Sequence, residues 1–198
     1  HEPEAREVTL AQAQRIAEAS AELLAPYCER IQIAGSIRRK RAECGDVDLV
    51  VIPKLIATRD LFGEVTGQEN AVRSFLAKYV REGNARWASG AEPKEAAENL
   101  ILKGAKCQLD VWIATPATWT TRLITRTGSK EHSIWIASRA TARRGTFKPY
   151  PGLLFSCSGL MQPDTEEQFY DALGLPFIEP EKRERIDLMR LEMEMACP

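Results

Sequence analysis

A chain of 198 residues with 27 Lys and Arg against 28 Asp and Glu has a net charge of -1, which gives no global sign of nucleic-acid binding. It is long enough to bury a core without disulfides, and its five cysteines, Cys28, Cys44, Cys107, Cys157 and Cys197, are odd in number and form no C-x-x-C pair. That argues against a disulfide framework and a zinc site, and with no apolar run near the ~20 residues needed to cross a bilayer, a soluble intracellular chain is expected, in cytoplasm, nucleoid or a virus-infected cell.

In chain order, TLAQAQRIAEASAELLA spaces Leu10, Ala13, Ile16 or Ala17, Ala21 and Leu24 at helical intervals, with Thr9 as N-cap and Pro26 at the end. RIQIAGS alternates Ile31 and Ile33 with polar neighbours, predicting a short strand that ends at Gly35. DVDLVVIP predicts a second strand, stopped by Pro53. Its period of two sets Asp46 and Asp48 on one face and Val47, Leu49 and Val51 on the other. NAVRSFLAKYVREG predicts a helix closed by Gly83, ARWAS and ENLILKG a hairpin, and CQLDVWIATP a strand with Leu109, Val111 and Ile113 opposite Gln108, Asp110 and Trp112.

From Thr115 the pattern turns helical. Thr115 and Pro116 start a helix reaching about Arg126, Gly128 and Ser129 break it, and Ser129 caps a second helix that ends at Gly145. TFKPYPGLLFSCSGLMQ predicts a small hairpin turning near Ser158 and Gly159. In TEEQFYDALG, Thr165 and Gln168 have capping-box spacing and Gly174 supplies the stop. The expected fold is α+β: a mixed sheet flanked by helices over residues 1–115, then a small, mainly helical region with a hairpin over 116–198.

Two carboxylates on one strand face raise one another's pKa unless a cation lies between them. Asp46 and Asp48 offer hard oxygen ligands and therefore point to hard divalent ions, and Asp110 completes a three-carboxylate set if its strand lies beside theirs. The expectation is two Mg²⁺ ions, with Mn²⁺ able to substitute, in phosphoryl or nucleotidyl transfer. Gly35 lets backbone amides approach a phosphate, Ser36 offers a hydroxyl, and Arg38 or Arg39 a forked contact. Beyond residue 120 a basic stretch holds Arg122, Arg126, Lys130, Arg139, Arg143, Arg144 and Lys148 against the single acid Glu131.

GSIRR followed by GDVDLVV resembles the nucleotidyltransferase signature of family X DNA polymerases, the DNA polymerase beta-like enzymes. CQLDVWIA resembles the strand bearing the family's third metal-binding aspartate, TGSKEH its nucleotide-contacting turn, and TEEQFYDALGLPFIEPEKRE its C-terminal segment. The resemblance implies a nucleotidyltransferase palm at 1–115 and a thumb-like subdomain at 116–198, without the lyase, helix-hairpin-helix or phosphoesterase domains common in the family.

It implies catalysis and metal binding by Asp46, Asp48 and Asp110, with Asp110 helping to deprotonate a primer 3′-hydroxyl. Nucleotide contacts are implied for Gly35, Ser36, Arg38, Arg39, Thr127, Gly128 and Ser133, and a γ-phosphate contact for Arg6. DNA contacts fall to Lys130, Arg139, Arg143, Arg144, Lys148 and Tyr150. Thr125 and Arg126 stand where many members carry an aromatic pair near the sugar, which leaves dNTP against NTP choice open. His132 reads as a packing or capping residue, and Trp112 and Trp135 as core.

The implied activity is addition of dNMP to a primer 3′ end with pyrophosphate release, in gap filling or end repair, by a monomer acting on primer/template or gapped DNA and dNTP. The other readings are a nucleotidyltransferase acting on tRNA, protein or a small molecule, and a non-catalytic DNA-binding module.

Overall fold

The computed structural model describes residues 7–91, 97–105, 107–148, 153–156 and 159–196. Strand β1 (Val8–Thr9) leads into helix α1 (Leu10–Leu24), where Thr9 Oγ1 accepts the Gln12 N–H and Gln12 Oε1 accepts the Thr9 N–H, a reciprocal cap. Ala13, Ala17, Ser20 and Leu24, three or four residues apart, form the buried stripe of α1.

Strand β2 (Cys28–Ile33) then enters a single helical turn, α2 (Gly35–Arg38). Next come β3 (Glu43–Cys44), which pairs with β1, and β4 (Asp46–Pro53). A separate hairpin of β5 (Leu55–Arg59) and β6 (Val65–Asn70) precedes helix α3 (Ala71–Arg81), capped by the Asn70 carboxamide. Strands β7 (Ala85–Trp87), β8 (Ala97–Leu102) and β9 (Gln108–Ile113) complete a five-stranded sheet ordered β2-β4-β9-β8-β7. In this mixed sheet β4 and β9 run parallel and the other neighbours antiparallel.

The central place of β4 follows from its side chains. Val47, Leu49 and Val51, all fully buried, pack into one core with Ala13, Ala17, Val72 and Leu76 of α1 and α3. On the opposite face Val50 and Ile52 meet Ala34, Ala114, Trp119 and Leu123. Only the first two positions of that second face, Asp46 and Asp48, remain polar, so the strand is sealed at one end and chemically open at the other.

A turn of 3₁₀-helix at Pro116–Thr118 precedes α4 (Trp119–Thr127), and Ser129 caps α5 (Lys130–Ala142). Strands β10 (Thr146–Lys148), β11 (Leu153–Ser156) and β12 (Gly159–Met161), then α6 (Glu166–Ala172) and α7 (Arg185–Ala196), surround a second core that includes Ile136, Phe147, Leu154, Phe169, Tyr170 and Leu188.

The α+β class and mixed sheet match the expectation. Several local features differ. The expected hairpin in the second half is a three-stranded antiparallel sheet. Helix α5 stops at Ala142 rather than Gly145, because Arg144 already takes a left-handed φ of 59°. Gln168 does not close a capping box on Thr165, since its Oε1 accepts the Asp164 N–H instead. The β5–β6 hairpin and α7 have no counterpart among the sequence expectations.

Candidate active site

Parallel pairing of β4 with β9 sets Asp48 opposite Asp110 and Asp46 opposite Gln108. Because alternate residues share a sheet face, the three aspartates lie together with Gln108 and Trp112 on one face. They line a cavity of about 500 Å³ with Gly35 and Ser36. Burial first, and then the Asp110 charge, raises the Asp46 carboxyl above its ordinary range. Burial, followed by the Asp46 charge, pushes Asp48 up to about 7, against the opposing pull of a Trp112 hydrogen bond and the Arg126 charge.

Two of the aspartates already have neutral donors. Trp112 Nε1 donates to Asp48 Oδ1 at 2.8 Å and Gln108 Nε2 donates to Asp110 Oδ1 at 2.6 Å. Neither residue was expected from the sequence to belong to the site, although strand alternation sets both on the same face as Asp110. Trp112 also contacts the small core beneath α4, so the expected packing role and the site role coexist. The Arg126 guanidinium lies 3.3 Å from the centre of the Trp112 ring and lines the cavity, as does Thr125.

The turn after β2 is tied to β4 by a hydrogen bond from the Ala34 N–H to the Asp48 carbonyl, 2.9 Å long. Gly35 has a φ of +59°, and a Cβ there would collide with the Asp48 carboxylate, so only glycine brings this backbone against the acid. Ser36 Oγ is buried with no hydrogen-bond partner among the described residues. A buried hydroxyl in that condition is a costly arrangement unless a ligand completes it.

The basic run after the turn is tied to the second lobe. Arg38 is bidentate to Glu166, at 3.0 and 2.6 Å, and also donates to Thr127 Oγ1. Arg39 donates to Glu184 and to the Thr127 carbonyl, at 2.7 and 2.6 Å, while still lining the cavity. Lys40 pairs with Glu181 at 2.6 Å and Arg41 approaches Glu184 at 4.0 Å, both at the exposed rim, where such pairs contribute little. Arg38 and Thr127 therefore sit behind the cavity wall.

Gly128, Lys130 and Ser133 line the cavity, with Ser129 accepting the His132 N–H at the head of α5. A Cβ on Gly128 would collide with the His132 ring. His132 is buried, with Nε2 2.7 Å from the Tyr170 hydroxyl, which is the packing role expected of it. Arg139 lies over the Trp135 ring, Arg143 packs against Gly174, and Lys148 lies over Phe155; with Arg144, they stand outside the cavity lining. Tyr150 and Arg6 fall outside the described residues.

Burial, then the charges of Arg183 and Arg39, lower His132 from its ordinary 6.5 to about 3. The native state is thus neutral where the unfolded chain takes up a proton. The stability this residue confers is complete above its ordinary value and declines as the pH falls toward the native one. Going from pH 7 to pH 5 should remove about 2 kcal/mol through His132, since each unit is worth about 1.4 kcal/mol. Urea unfolding at both pH values should show that loss shrinking in His132→Gln. An equal loss in the variant would clear His132.

The donor set suits a hard divalent cation, being carboxylate oxygen throughout. Yet among the described residues no three His, Cys, Asp or Glu side chains are gathered as a ready-made cage. Trp112 and Gln108 each engage one carboxylate oxygen of the set. Cationic Arg39, Arg126 and Lys130 line the same cavity, so acids and bases share one concave surface suited to a metal-bound anion.

The class defined by this arrangement is an α+β lobe carrying three acids at one end of a mixed sheet, followed by a second lobe with its own core. Residues 122–184 of that second lobe match the family model of the DNA polymerase beta thumb, so this segment is similar to a polymerase thumb. Comparison with curated proteins gives no match. No helix among the described residues is long and apolar enough to cross a membrane.

Proposed function

We propose that the chain is a metal-dependent nucleotidyltransferase of the family X type, adding dNMP to the 3′-hydroxyl of a DNA primer with release of pyrophosphate. Gap filling or end repair is the fitting context. The observation that carries the reading is the register of β4 against β9, which sets Asp48 beside Asp110 in the cavity that also holds the unpartnered Ser36 hydroxyl. The polymerase-type thumb over 122–184 supports the same substrate class.

Asp46, Asp48 and Asp110 are the residues that would hold Mg²⁺, which when bound activates a hydroxyl nucleophile and neutralises a phosphate leaving group. The chain's own residues supply the rest. Ser36 Oγ and the glycine-bearing turn present donors to phosphate oxygens, and Arg39 and Lys130 add positive charge at the cavity wall. Gly128 lines the cavity with backbone alone, its missing side chain letting the His132 ring pack behind it. Trp112 and Gln108 orient the acids they donate to.

Incubation with labelled dNTPs or NTPs, Mg²⁺ or Mn²⁺, and single-stranded, nicked or gapped DNA tests this directly. Extension of a primer is expected. No extension on any DNA, with transfer instead to tRNA, protein or a small molecule, would leave the acidic cavity in a different enzyme; DNA binding without turnover would make the chain a binding module.

DNA affinity should be weak and steeply salt-dependent. With phosphate contacts from Lys130, Arg139, Arg143, Arg144 and Lys148, a plot of log affinity against log salt should have a slope of about -4.5. Fluorescence anisotropy of a labelled gapped duplex across roughly 50 to 200 mM salt reads it. A flat plot contradicts an electrostatic hold on the backbone.

A further inference from the structure

The β5–β6 hairpin stands apart from both cores. Nearly all of its residues are exposed, and a two-stranded ribbon with no buried face is marginal on its own in water. It nevertheless ends in a defined tip. Asp60 Oδ1 accepts the Phe62 and Glu64 N–H groups, Arg59 donates to the Gly63 carbonyl, and Gly63 closes the turn with a φ of +84°. This holds Leu61 and Phe62 out into solvent, 101% and 90% exposed, with Leu55 and Val65 also largely uncovered. The ordered turn thus presents two large apolar side chains to water, the kind of feature that contact surfaces use.

The same molecule carries a matching hollow. A groove of about 590 Å³, larger than the acidic cavity of about 500 Å³, lies between α1 and the β8–β9 turn. Its lining includes Ile16, Ala19, Leu23 and Leu102, with Arg15 and Lys103 as its charged members and no acid among them. The hairpin carries the reverse balance, Asp60, Glu64 and Glu69 against Arg59. Knob and hollow are thus complementary in polarity and in charge, and the acidic balance of the knob disfavours a DNA backbone as its occupant.

We propose that the Leu61–Phe62 tip of one copy docks in the α1 groove of a second copy, with Asp60 and Glu64 facing Arg15 and Lys103. The chain therefore self-associates, where the sequence leads to the expectation of a monomer. The contact is heterologous, one surface meeting a different one, so an assembly keeps a free tip at one end and a free groove at the other unless a ring closes.

Sedimentation velocity over a wide concentration series tests it. The wild-type chain should show a weight-average mass that rises with concentration. Phe62→Ser removes the knob, and Ala19→Glu sets a like charge in the groove; each changes an exposed residue, and each should weaken association about tenfold or more. Unchanged circular dichroism separates lost docking from lost folding. Mixing the two variants is the sharper arm, since one keeps the groove and the other the knob. The mixture should form a 1:1 pair that grows no further. A wild-type chain that stays monomeric at every concentration overturns the proposal, as does association that neither variant weakens or a mixture that fails to pair. None of these readouts depends on nucleotide transfer, so failure here leaves the proposed chemistry untouched.

Discussion

Asp110→Asn is expected to lower the rate of nucleotide addition about a thousandfold, a loss of about 4 kcal/mol of transition-state stabilisation at ~1.4 kcal/mol per tenfold. The substitution is nearly isosteric. An asparagine carbonyl can still accept the Gln108 hydrogen bond that Asp110 Oδ1 accepts at 2.6 Å, so the local geometry has a reason to survive. What disappears is one negative charge among three. Loss of that charge removes a like neighbour from Asp46, which Asp110 helps to push upward, so the fold should be no less stable. Single-turnover extension with labelled dNTP, alongside a thermal melt of each protein, separates the two effects. Extension near the wild-type rate would remove Asp110 from the chemistry.

Glu166→Ala should lower the stability of the chain by about 3 kcal/mol, within the range for breaking a buried ion pair by removing one partner. Glu166, with 12% of its side chain exposed, receives Arg38 at 2.6 Å and Arg183 at 3.0 Å. Arg183 is wholly buried. Its remaining hydrogen bond, from Nε to the Ile178 carbonyl, is to a neutral group, and its NH2 has no partner among the described residues. Burial alone would raise the Glu166 carboxyl, but the Arg38 hydrogen bonds and the Arg183 charge outweigh it and hold the group below its usual range. The sign follows from that depression. The contribution is complete above the ordinary carboxylate value near ~4.3 and is lost as pH falls through the lower native value. A thermal melt at pH 7 should show the variant well below wild type, and the gap should narrow in acid. A variant that melts with the wild type would show the pair to be dispensable.

The sequence displayed the acidic face clearly because the signal is local. Asp46, Val47, Asp48 and Leu49 alternate within one strand, and Gln108 to Ile113 repeats the alternation, so side-chain direction follows from the period alone. The partners of the basic run were hidden for the opposite reason. Arg38 meets Glu166 across 128 residues and Arg39 meets Glu184 across 145, and no local pattern encodes contacts of that separation. Four clustered charges look alike whether solvated, bound to phosphate or paired with distant acids. The β5–β6 hairpin escaped because neither of its strands has an apolar face to alternate with a polar one. Helix α7 lay unseen within an acid-rich tail, whose composition masked the buried Leu188.

The pairing of Asp48 with Asp110 runs against local electrostatics, for two acids on neighbouring strands repel. A slip of one residue between β4 and β9 would part them, but it would also turn Leu109 and Val111 out of the core they share with Val47, Leu49 and Val51. The oily side of the sheet therefore clamps together charges that would otherwise separate. Weakening that side, with Val111→Ala for example, would slacken the acidic face from behind, without altering any group on that face.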